Sequence, residues 1–242
     1  YSHASLIEGA HLSGATIHYF KHNDASDLER LLNQLNRNTR CLVATEGIFS
    51  SNGKLGNINA ILKVAKKYGA LTLVDEAHSL LAYGPSGRGV VAATDAFDDL
   101  DMIIATFSKS FSGMGGALIA KKEIAEYIAW FAKSRMFSCA LDPAVTAGMK
   151  AGLEVTYSEG ERRRNMLNEN VKIFKQLLPD IIAQDMSYCI CIPYGSSEKS
   201  IPLKLFFKKN GISVNFLQAP AAPRGDARLR LFVTSEHTPE QI

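Results

Sequence analysis

The sequence lacks the features that would place it in a membrane or on nucleic acid. No apolar run approaches the roughly 20 residues that cross a bilayer, and no basic-then-apolar leader opens the chain. The reading is a soluble, cytoplasmic protein without a membrane span. Charge of one sign is not in excess: 27 Lys and Arg stand against 24 Asp and Glu, a net charge of +3, and the basic residues are scattered. Nucleic acid and acidic surfaces are therefore not expected as partners. Cysteine is scarce, and Cys41, Cys139, Cys189 and Cys191 have no zinc-ligand spacing. Cys189 and Cys191 alternate along an apparent strand, which predicts reduced, mostly buried thiols. Internal repeats and low-complexity tracts are missing. So is an initiator methionine: the chain opens YSHASLIEGA and stops at TPEQI, where a helix begins, so both ends read as cut.

What is present is a globular composition, 46% hydrophobic and 21% charged over 242 residues, long enough for a large core. From Cys41 short β-rich runs alternate with helical patterns: CLVATEG, a helix near 58–68, ALTLVDEA, MIIATF, then GALIA. Continuous apolar strands separated by helices predict an α/β fold with a mainly parallel sheet buried on both faces. Asp24, ahead of Leu31 and Leu32, reads as a helix start. Further helical zones cover 122–130 and 143–155. After Tyr157 the charged stretch SEGERRRNMLNENVKIFKQLLP leads to short strands near 188–192 and 228–233. The expectation is a large domain over residues 1–155 and a smaller α+β domain over 156–242.

Two residues carry the chemistry. Asp75 ends an apolar strand, at the edge where α/β sheets bind ligands, and His78 follows over the same mouth. A helix-cap role for Asp75 is an equal alternative. Lys109 follows the next strand between Phe107 and Phe111, where partial desolvation would make its amine a nucleophile towards carbonyls. Gly113, Gly115 and Gly116 then allow a sharp turn. Together these suit pyridoxal phosphate, which needs a lysine for its aldehyde and an acid for its ring nitrogen. Thr106 and Ser108 are near enough to meet the phosphate, and His78 to meet the ring hydroxyl.

In combination, the segments HASLIEGAHLSGA, HND, TEGIFSSNGKLGNI, KKYGALTLVDEAHS, GPSGRG, TFSKSFSGMGG and PRGDARLRLFVTSEHTPEQI resemble the α-oxoamine synthases, fold-type-I pyridoxal phosphate enzymes. The resemblance implies that His3 stacks on one face of the ring and Ala77 lies against the other. It places Ser50 and His78 near the ring hydroxyl, Thr106 on the phosphate, Lys109 on the aldehyde and Arg230 on the amino acid's carboxylate. It also implies decarboxylative condensation of an amino acid with an acyl-CoA, in a homodimer with interfacial sites. An aminotransferase or lyase on this scaffold, or a non-catalytic partner subunit, are the alternatives; retention of Lys109 speaks against the last.

The sequence departs from the family in three places. The glycine-rich phosphate loop lies upstream of HAS in relatives, outside this chain. Cys139 stands where relatives show a serine-threonine pair. SLLAYG follows His78 where relatives carry a glycine within Ser-x-Gly. Ser79 resembles serine palmitoyltransferase-like members, with the amino acid otherwise open among serine, alanine and glycine.

Overall fold

The computed structural model describes residues 1–36, 38–183, 185–219 and 221–242, and the four apolar runs read from the sequence form one sheet in it. Its helices are α1 (Ala4–Leu12), α2 (Ala25–Gln34), α3 (Ile58–Lys67), α4 (Lys122–Phe131), α5 (Lys133–Met136), α6 (Pro143–Leu177) and α7 (Ser200–Lys209). Its strands are β1 (Leu42–Glu46), β2 (Leu71–Asp75), β3 (Met102–Thr106), β4 (Gly116–Ala120), β5 (Cys189–Gly195), β6 (Asn215–Leu217) and β7 (Ala227–Phe232). The chain divides into two compact units. One comprises residues 8–48 and 56–161, the other residues 1–7, 49–55 and 162–242. Among the described residues no helix is long and apolar enough to cross a membrane.

In the first unit the sheet order is β1-β2-β3-β4, with β1, β2 and β3 parallel and β4 antiparallel to β3. β1 and β2 are joined through α3, and β2 and β3 by a long connection with three short 3-10 turns in place of the expected helix; both crossovers keep the strands parallel, whereas β3 and β4, joined by the 107–115 turn, reverse. Asp24 accepts the Asp27 amide at 2.9 Å and so caps α2. Leu28 and Leu32 of α2 pack with Val43, Ile61, Ala65 and Ala70 into one buried cluster. In α3 the spacing of Ile58, Ile61, Leu62 and Ala65 puts all four on one buried face. Fully burying Ile61 alone contributes about 1.5–3 kcal/mol.

The KKYGAL segment stops α3 and aims β2. Gly69 takes φ +67°, its amide bonds Lys66 O, and the Ala70 amide bonds Ala65 O, both at 3.0 Å. That pair of bonds is the left-handed helix stop that glycine permits. β2 begins at the next residue and ends on Asp75.

The two helical zones expected at 143–155 and after Tyr157 form a single 35-residue helix, α6. The reason is the absence of a breaker: Pro143 opens it, the next proline is Pro179, and Gly160 is buried within it. In the second unit three antiparallel strands run in the order β5-β7-β6. β5 and β7 match the two expected strands; β6 and α7 were not foreseen. The core of this unit is Ile182, Met186, Cys189, Ile190, Cys191, Leu229 and Val233. Two thiols are therefore buried as expected, while Cys41 is half-buried and Cys139 exposed.

Candidate active site

Register pairs Glu46 with Asp75 and Asp75 with Ile104, so the C-terminal ends of three parallel strands line one edge. Asp75 is only 7% exposed, and its Oδ1 accepts the Ala77 amide at 2.9 Å. The cap-like turn and the buried carboxylate thus coexist. Ala77 and His78 continue that turn, both half-buried.

Glu76, passed over in the sequence, is the most enclosed charged residue here, at 0% exposure. It accepts the Val90 amide at 3.1 Å, the Val91 amide at 2.7 Å and the Ser79 hydroxyl. A Cβ on Gly47 would fall 2.2 Å from its Oε2, and one on Gly89 would fall 2.6 Å from its Cδ. Burial pushes its carboxyl up to about 7, the two amides opposing and the Asp75 charge adding to the rise. The glycines of the TEGIF and GRGV segments are therefore legible afterwards as the walls of this clamp.

Ser79 is buried at 0% exposure, with its hydroxyl on Glu76. It supports the clamp from within the turn. Leu81, in the SLLAYG segment, adopts φ +66°. The backbone keeps the left-handed conformation although the residue is not glycine, at a cost of about 1–2 kcal/mol.

Thr106 ends β3, and its hydroxyl lies 3.0 Å from that of Ser108. The following turn is tied by Gly113 N to Phe107 O at 2.7 Å and Phe107 N to Gly115 O at 2.9 Å. Ser112 N bonds Lys109 O at 2.9 Å, so Lys109 rides on the turn. The expected desolvation of Lys109 is not found: the residue is exposed. Phe107 and Phe111 pack on each other instead, ring centroids 5.2 Å apart and edge to face. A Cβ on Gly116 would meet Ala105 O at 2.6 Å, so that glycine serves the chain's own close packing.

The second unit holds the other three predicted residues. Ser50 is buried, and its carbonyl accepts Arg230 Nη1 at 3.3 Å. The two arginines of ARLR are not equivalent. Arg228 is saturated: Nε bonds Asp226 at 2.9 Å, Nη1 bonds Ser51 O at 2.8 Å and Nη2 bonds the Tyr1 hydroxyl at 2.8 Å. Arg230 Nε is buried without a partner among the described residues, and its Cζ lies 5.1 Å from the Phe232 ring centroid. A guanidinium with an unsatisfied buried donor suits a carboxylate ligand. His3 is exposed at the start of α1, its Nδ1 2.8 Å from the Ser5 hydroxyl and accepting the Ser5 amide at 3.3 Å. Asp226 and Tyr1, which fix Arg228, had no signal in the sequence.

These residues fit pyridoxal phosphate. The sheet edge of the first unit offers an exposed primary amine, a buried carboxylate, a small residue and paired hydroxyls.

The whole chain, residues 1–242, matches the aminotransferase class I and II family. It is 34% identical to an 8-amino-7-oxononanoate synthase of Citrifermentans bemidjiense, covering 100% of this chain and 63% of the relative. It is 32% identical to a serine palmitoyltransferase of Bacteriovorax stolpii, covering 100% and 58%. A serine palmitoyltransferase solved with its pyridoxal phosphate internal aldimine aligns with a TM-score of 0.92 at 31% identity, over 99% of this chain and 61% of that one. The chain thus spans about three fifths of the relatives it matches. It belongs to the aminotransferase class I and II family, in the α-oxoamine synthase group.

Proposed function

We propose that this chain belongs to an enzyme that joins the α-carbon of an amino acid to the acyl group of an acyl-CoA, releasing CoA and carbon dioxide to give an α-aminoketone. The observation that carries the reading is the position of Asp75 and Lys109 after the paired strands β2 and β3 in a chain of this family. Relatives named as 8-amino-7-oxononanoate synthase and serine palmitoyltransferase support it.

In this reading Asp75 keeps the ring nitrogen of the cofactor protonated, and Ala77 and His3 flank the ring. Ser50 and His78 meet its hydroxyl and Thr106 its phosphate. The bound cofactor supplies an electron sink that acidifies the substrate's Cα–H. Lys109 Nζ takes that proton as general base and returns one at the end, a role that suits its exposed place on a turn. Arg230 holds the carboxylate until it leaves as carbon dioxide. His3 polarises the thioester carbonyl. We further read the enzyme as a cytoplasmic homodimer with sites at the interface; exposed Trp130, Phe131 and Phe137 supply apolar surface for such a contact.

The test is release of CoA and carbon dioxide by the full-length protein. Release that needs both an amino acid and an acyl-CoA, and that stops in Lys109→Ala, supports the reading. Oxo-acid formation without acyl-CoA replaces it with aminotransfer.

A further inference from the structure

In α7 the inward side is marked by Leu203 and Phe207, one turn apart and half-buried. Half a turn away the outward side carries Ile201, 69% exposed, and Leu205, 63% exposed, with Phe206 beside them at 60%. A helix on the surface of a water-soluble domain places polar residues on that side. Here the outward face is as apolar as the inward one, so it gains by leaving water for an apolar phase.

Lysines frame this stripe. Lys204 stands three residues after Ile201, and Lys208 and Lys209 stand three and four after Leu205, the spacings that bring side chains together on a helix. Lys199 precedes the first turn. Glu198 is the one acid in residues 197–212, which leaves these four lysines a net charge of +3. Among the described residues none of the four makes an ion pair. Along the sequence the basic residues are scattered; the helix gathers these around one apolar face.

The residue types select the occupant. Protein interfaces are poor in lysine and rich in arginine, and the arginine fork is favoured for nucleic acid. Residues 197–212 hold no arginine. Lysine suits a lipid surface, because its stem lies along apolar material while its ammonium stays among the headgroups. Leaflets that carry anionic lipid attract such a segment.

We propose that α7 is a membrane-surface helix. Ile201, Leu205 and Phe206 enter the headgroup–acyl boundary of an anionic bilayer, and Lys199, Lys204, Lys208 and Lys209 meet the negative headgroups. With 10 residues the helix is about 15 Å long, so it lies in the plane of the surface and does not cross it. Binding is reversible and weakens with salt, since much of the attraction is between exposed charges.

The experiment is sedimentation of the full-length protein with vesicles, either phosphatidylcholine alone or an equal mixture of phosphatidylcholine and phosphatidylglycerol. The expected result is binding to the mixed vesicles, little to the neutral ones, and release at high salt. Affinity should fall about five-fold for each lysine removed, so about a hundred-fold in the triple variant Lys204→Gln, Lys208→Gln, Lys209→Gln. Leu205→Glu should cost about ten-fold or more. All four side chains are exposed, so thermal unfolding of the variants should match the parent. A parent protein that leaves the mixed vesicles in suspension, or binds both kinds equally, overturns the proposal without reliance on any variant. Binding undiminished in Leu205→Glu overturns it by assigning the contact to another surface. Self-association of the parent that Leu205→Glu abolishes, with no vesicle binding, overturns it in favour of a second copy. Vesicle binding and acyltransfer are separate measurements, and failure of either leaves the other standing.

Discussion

Glu76 Oε1 accepts the amide of Val91 at 2.7 Å, tying the residue after Asp75 to a loop fifteen positions on. The carboxyl's ordinary value is 4.5, and in the fold it is pushed up to about 7 by burial. The folded state therefore keeps a proton that the unfolded chain has lost, so stability should fall as pH rises between those two values and level off above them. The full effect is roughly 3 kcal/mol. Glu76→Gln should flatten this slope while costing about 1–3 kcal/mol at acidic pH, because one amide loses its acceptor. Urea midpoints at acidic and neutral pH measure both.

Leu81 provides a test of backbone strain. Ala at this position keeps the left-handed strain and loses the side chain, whereas Gly loses the side chain and relieves the strain. Leu81→Gly should therefore be the more stable of the two variants by about 1 kcal/mol, the reverse of the order expected in an ordinary helix or strand. Thermal unfolding of the pair checks it.

The neighbouring arginines of ARLR should separate cleanly. Arg228→Ala removes the partner of Asp226 and the Tyr1 hydroxyl and should cost about 1–3 kcal/mol of stability, since Asp226 keeps part of its surface in water. Arg230→Gln gives up a long bond to Ser50 O and the contact with the Phe232 ring, and it also removes the unpartnered Nε, so it should cost less stability than Arg228→Ala. It should weaken amino acid binding about 10- to 100-fold, the worth of a charged hydrogen bond. Denaturation and ligand titration on the same two variants distinguish the roles.

The α/β class was legible because β1, β2 and β3 are short apolar runs, with the signal of α3 between the first two. The Asp75 and Lys109 positions were legible because each follows such a run. Three things were hidden. The continuity of α6 depends on nothing interrupting it, and a change in charge texture at Tyr157 looked like an interruption. The Glu76 clamp is built from Gly47, Ser79, Gly89, Val90 and Val91, a set that only tertiary structure assembles. The difference between Arg228 and Arg230 lies in Tyr1 and Ser51, far from both in sequence. Lys109 itself was read as desolvated from its phenylalanine neighbours, but those rings satisfy each other.

The central claim is that Lys109 is the lysine that carries the cofactor. Loading the full-length protein with pyridoxal phosphate, reducing with borohydride and mapping the labelled peptide tests it most directly. The account predicts a single label on Lys109, lost in Lys109→Ala; a label on another lysine, or one undiminished in that variant, would contradict it.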